Sequence, residues 1–126
     1  MQPGLKAQLH HIVKDNDTAT HIGNVQVLAS PVMIGLMEYA AAAAVEQALA
    51  EGMQTVGIHV DVKHIAATPV GMKVTAHAEL IKVDGRILTF RVWAEDEKER
   101  IGEGTHQRAI IDVAKFQQKV QAKRSG

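Results

Sequence analysis

The spacing of hydrophobic residues along this chain changes twice, and each change predicts a different element. A short strand over Leu5 to Val13 runs into a polar stretch, KDNDTATHIGN, that reads as a loop. From Pro31 to Val45 every residue is then apolar or glycine except Glu38 and Tyr39. Ser30 and Pro31 suit the start of a helix, because serine caps free amides and proline tolerates the first turn. The helix is expected to reach about Glu51, with Gly52 as its stop. Apolar nearly all round, it should be wrapped by other structure rather than laid on a surface.

Beyond Gly52 the period falls to two. In GIHVDVKHIA, Ile58, Val60, Val62 and His64 share the face expected to be buried, and His59, Asp61 and Lys63 share the other. In MKVTAHAELIKV, Val74, Ala76, Ala78 and Leu80 alternate with polar residues, and Asp84-Gly85 signals a tight hairpin. RILTFRVWA and RIGEGTHQRAIIDV, joined by the charged turn EDEKER, complete four strands expected to form an antiparallel meander. The residues from Ala114 onward read as a basic tail or short helix. The fold class is α+β, with an antiparallel sheet around a long central helix in a single domain spanning 1–126.

Composition narrows the function. Fourteen basic residues balance fourteen acidic ones, so no net field favours nucleic acid or an anionic membrane, and any anion must be recognised locally. Cysteine is absent, which removes disulfides and thiolate chemistry. No secretory segment or membrane span is visible, and a soluble, cytoplasmic protein is expected. The six histidines other than His64 show no metal-ligand spacing with carboxylates on a common face, and His10 and His11 point to opposite sides of a strand, so no metal is expected.

Four residues carry candidate chemistry. Glu38 is the anomaly, because a carboxylate removed from water is costly unless paired or hydrogen-bonded; its plain alternative is a glutamate at a helix edge or a dimer seam. His64, in register with the buried strand face, would make a general acid/base pair with a neighbouring carboxylate, or else a satisfied core histidine. Ser30 fits a nucleophile, a hydrogen-bond partner for substrate or water, or a helix cap. It precedes Glu38 by eight residues, roughly 12 Å along a helix, too far for direct activation unless the helix begins later and Ser30 sits in a folded-back loop. Gly57, at a strand start, would let a ligand approach a backbone N–H, though on spacing alone a flexible strand start is the commoner explanation. Lys115, Lys119, Lys123 and Arg124 in the tail either attract phosphates or are simply solvated.

The motifs VLAS, MIGLMEYA, VKHIAATPVG, VTAHAEL, GRILTFRVWA and IGEGTHQRAIIDVAKF, in this order, resemble the fluoroacetyl-CoA thioesterase-like family of hotdog proteins from about Val27 to Gln117. The resemblance implies a homodimer that hydrolyses an acyl-CoA thioester to a carboxylate and free CoA, with sites at the subunit interface and the CoA ester as substrate, no separate cofactor being needed. It places the family's catalytic glutamate on Glu38, its histidine on His64, its pre-helix hydroxyl on Ser30 and its carbonyl-binding glycine on Gly57. The fluoroacetyl-specific enzyme has threonine where Ser30 stands. Where that enzyme has a pair of phenylalanines gating its pocket, this chain has His21 and Asn24, and its only phenylalanines are Phe90 and Phe116. An apolar lid against fluorine is therefore missing, and a thioesterase scaffold without demonstrated preference for fluoroacetyl-CoA is expected. A non-catalytic acyl-CoA-binding or sensing domain is the alternative; a hydratase is disfavoured because the D-x-N-x-x-H pattern is absent.

Overall fold

The computed structural model describes residues 1–125 of the chain. After β1 (Lys6–Ile12) and a 3-10 turn (Asp15–Asp17) come α1 (Ser30–Glu46), β2 (Met53–His64), β3 (Lys73–Asp84), β4 (Ile87–Glu95), β5 (Arg100–Asp112) and α2 (Val113–Ser125). The five strands form one antiparallel sheet in the order β1-β3-β4-β5-β2. The expected meander is therefore only partly present. β3, β4 and β5 are consecutive neighbours, whereas β2 pairs with β5 and leaves one long side at the sheet edge.

Alternation explains the core. Val74, Ala76, Ala78 and Leu80 of β3 and Leu88, Phe90, Val92 and Ala94 of β4 are all buried against α1. Each larger side chain among them contributes about 2 kcal/mol by leaving water. The β3–β4 hairpin closes as expected, with Asp84 opposite Ile87 and Gly85 at φ 60°, a left-handed conformation that glycine adopts without strain. In the charged turn before β5, one Asp96 carboxylate oxygen accepts from the Lys98 and Glu99 amides, at 2.8 and 3.0 Å. α1 stops at Glu46 rather than near Glu51. The chain then turns through Ala48 and Leu49, whose amides donate to Val45 and Glu46, before Gly52 at φ 81° leads into β2.

Two expectations about burial fail for the same reason. Met33, Met37, Ala40, Ala41 and Val45 bury one face of α1, mainly over β3 and β1, but its other flank is open and Tyr39 is 71% exposed. On β2, Ile58 and Val60 are 49% and 42% exposed. The sheet covers α1 from one side only, and β2 at the edge has no strand beyond it. A bulge between Gly57 and His59 also shifts the register there. The basic tail is a helix: an Asp112 carboxylate oxygen accepts from the Lys115 amide, and the Val113 amide donates to the Gly52 carbonyl, fixing the start of α2 beside the start of β2. No helix among the described residues is long and apolar enough to cross a membrane.

Candidate active site

The four candidate residues lie in two pairs that do not touch. Ser30 is the first residue of α1, and its hydroxyl does not cap the helix; Oγ shares a 2.7 Å hydrogen bond with His64 Nδ1 at the end of β2. The other ring nitrogen, Nε2, is buried and has no partner among the described residues. This pair borders a cavity of about 700 Å³ roofed by the 18–22 loop and walled by residues 27–31 and 64–67. His21 lines that cavity and Asn24 does not.

Glu38 lies two helical turns further on, on the open flank of α1. It is not fully buried, since its side chain is 38% exposed. Its carboxylate rests on Gly57. A β-carbon at that position would stand 2.5 Å from Glu38 Oε1 and 3.2 Å from the His106 ring, so only glycine lets the carboxylate approach the β2 backbone here. Glu38 and Gly57 thus face one another, while His64 lies seven residues along β2 from Gly57, roughly 20 Å at the usual rise.

Behind Glu38 stand two residues that sequence reasoning did not single out. Arg108 Nη1 is 3.6 Å and His106 Nε2 3.7 Å from Glu38 Oε1. Arg108 is held by Thr55: Nε donates to Oγ1 at 2.8 Å and Nη2 to the backbone carbonyl at 2.9 Å, while Nη1 donates to His106 Nε2 at 3.1 Å. His106 Nδ1 donates in turn to the His59 carbonyl at 2.7 Å, which makes the ring neutral with its proton on Nδ1. Burial pushes the His106 pKa down, as does Arg108, against the opposing pull of the His59 carbonyl and Glu38. Burial also lowers the Arg108 pKa, and Glu38 opposes it. The available signal was period two in GEGTHQRA, which aligns Gly102, Gly104, His106 and Arg108 on one face.

Comparison with known proteins identifies the family. Residues 13–114 match the model of the fluoroacetyl-CoA-specific thioesterase family. The chain belongs to that family. It is thereby a thioester hydrolase. The fluoroacetyl-CoA thioesterase of Streptantibioticus cattleyicolor is 46% identical over 98 residues, which are 78% of this chain and 70% of that protein. A solved structure of a fluoroacetyl-CoA thioesterase superposes with a TM-score of 0.90 at 38% identity, covering 98% of this chain and 97% of the other. A thioesterase superfamily member from Thermus thermophilus superposes at 0.91 with 27% identity, over 98% and 93% of the two chains. These matches establish the hotdog fold.

Proposed function

We propose that this chain is an acyl-CoA thioesterase working in the cytoplasm as a homodimer, its active site completed across two subunits. The observation that carries the reading is the separation of the Ser30–His64 pair from Glu38 and Gly57 within one chain. β2 exposes an unpaired edge, apolar Ile58 and Val60 lie on that strand, and the open flank of α1 adds Tyr39. Such an edge calls for cover. A second copy covers it by pairing β2 with β2 antiparallel about a twofold axis, so that Gly57 lies opposite the partner subunit's His64. That register brings Glu38 of one chain to the Ser30–His64 pair of the other, twice by symmetry.

Glu38 then has two routes. As nucleophile it adds to the thioester carbonyl, the C–S bond breaks, CoA leaves as thiolate, and water hydrolyses the mixed anhydride to release the acid and regenerate Glu38. As general base it takes a proton from water, which adds to the carbonyl directly. In both, His64 positions or protonates the reacting groups, Ser30 hydrogen-bonds substrate or water, and the Gly57 N–H polarises the carbonyl. The substrate is a CoA ester of a small acid. The 18–22 roof of the cavity carries His21 beside Ile22 and no phenylalanine.

The test is CoA release, read with a thiol reagent, from acetyl-, fluoroacetyl-, branched and aromatic acyl-CoAs by wild type and Glu38→Ala. Turnover should fall about 10²- to 10⁴-fold in the variant with its melting temperature retained. Near-wild-type rates would remove Glu38 from the mechanism.

A further inference from the structure

A carboxylate on a long side chain at the open flank of a helix has several rotamers available, yet the partly exposed Glu38 lays Oε1 on Gly57. What holds it there comes from β5. Arg108 pairs with Gly57 across the β2–β5 ladder, and its Nη1 would stand 3.4 Å from a β-carbon added at that glycine. Thr55 and Arg108 are both buried. A guanidinium carries its donors in a fixed planar fork. Nε and Nη2 both end on Thr55, on Oγ1 and on the backbone carbonyl, so the two oxygens of one residue grip the plane. Nη1 is left to face His106 and Glu38. His106 has no proton to give Glu38, because its Nε2 accepts from Arg108 and its Nδ1 donates to the His59 carbonyl. Gly35, Tyr39 and Ala42, which share a hollow of about 330 Å³ with Glu38 and Arg108, carry no basic group. Among the described residues, Arg108 is therefore the one cation at ion-pair distance from the carboxylate.

We propose that Thr55 and Arg108 are positioning residues for thioester hydrolysis: Thr55 fixes the guanidinium plane, and the guanidinium holds Glu38 Oε1 over Gly57, where the thioester carbonyl arrives. Neither residue needs to touch the substrate. The inference rests on the reading above in which Glu38 meets the thioester. At 3.6 Å, Nη1 is too far from Oε1 for a hydrogen bond, so charge attraction directs the carboxylate and leaves Oε1 free to react. A bidentate pair would instead occupy the oxygens that must attack the carbonyl or take a proton from water. Partial burial keeps the attraction from being screened as it would be on an open surface. Its direction depends on where the guanidinium sits. Thr55 Oγ1 is the contact that sets this and that a substitution of the same shape can remove.

The experiment is steady-state CoA release by wild type, Thr55→Val, Thr55→Ser, Glu38→Ala and the Glu38→Ala/Thr55→Val double variant. Valine keeps the shape of threonine and removes the oxygen. In Thr55→Val, kcat should fall about tenfold or more with KM unchanged, because displacing a positioned group weakens the transition state and not substrate binding. Thr55→Ser restores the hydroxyl and should return kcat to near the wild-type value. In the Glu38→Ala background, Thr55→Val should leave the residual turnover unchanged, since the group it positions is gone. Valine also leaves Arg108 Nε without its acceptor, so the melting temperature should drop in both backgrounds, and rates are taken well below it. If Thr55→Val does not fold, Arg108→Lys takes its place; it keeps the charge but has no fork to bridge both Thr55 oxygens, and the same pattern is expected. Wild-type kcat with only the melting temperature lowered, or an equal loss of turnover in both backgrounds, overturns the proposal and leaves the catalytic role of Glu38 standing. A Glu38→Ala protein as active as wild type removes that role, and the proposal with it.

Discussion

At Gly57 a single hydrogen in place of a methyl group lets a carboxylate lie against a strand. An added β-carbon would stand 2.5 Å from Glu38 Oε1, and the end of a glutamate can swing aside without unfolding the chain. Gly57→Ala should therefore keep its melting temperature within a few degrees while kcat on acyl-CoA falls more than about tenfold, since displacement by an ångström weakens a positioned catalytic group. A fall in stability with kcat unchanged would mean that the glycine serves the strand alone. His106 behaves differently because its contribution depends on pH. Its folded pKa lies below the ordinary 6.5, so between the two values the folded chain binds fewer protons than the unfolded one. Stability then rises with pH across that window, is complete above the unfolded pKa, and is lost as acid protonates the ring. Urea midpoints measured from neutral pH downward should decline from about 6.5, and His106→Gln should flatten that first decline. The steeper loss at lower pH should persist, because Asp17 and Asp96 also titrate below their ordinary value. Burial raises their pKa, but hydrogen bonds to His11 and Lys14, and to Lys98, Glu99 and Thr68, outweigh it.

β2 is the element on which the proposed dimer depends. Val60 is exposed on an edge strand, so Val60→Asp should cost the monomer little, within about 0.5 kcal/mol, while placing like charges near the twofold axis of a β2–β2 seam. Sedimentation should show wild type as a dimer and the variant as a folded monomer with CoA release lost; a dimeric, active variant would move the interface off this strand. The same strand shows what the sequence disclosed and what it withheld. Alternation located all four strands after α1, because inward residues such as Val74, Ala76, Ala78 and Leu80 meet a helix of their own chain. It assigned Ile58 and Val60 to a buried face because period two reports which side is apolar and says nothing of whether any element covers it. The all-round apolarity of α1 misled for the same reason, since the open flank at Tyr39 is legible only once the sheet is seen to reach one side. Ser30 and His64 were each visible as residue types, but their hydrogen bond depends on tertiary placement of a helix start against a strand end. Arg108 went unseen because an arginine two residues from a histidine reads as surface unless Thr55, across the β2–β5 pairing, is known to hold it.

For the whole molecule, the issue is whether Glu38 and His64 act together from one chain or from two, and two inactive variants can decide it. Suppose Glu38→Ala and His64→Ala each abolish turnover. In a mixed dimer the first chain retains His64 and the second retains Glu38. If a site draws Glu38 from one subunit and His64 from the other, one of the two sites in every mixed dimer is intact and the other lacks both groups. Random exchange makes about half of all dimers mixed, so co-refolded variants should recover about one quarter of wild-type turnover per chain, while each variant refolded alone stays inactive. If both groups came from the same chain, every site in the mixed dimer would lack one of them, and mixing would restore nothing.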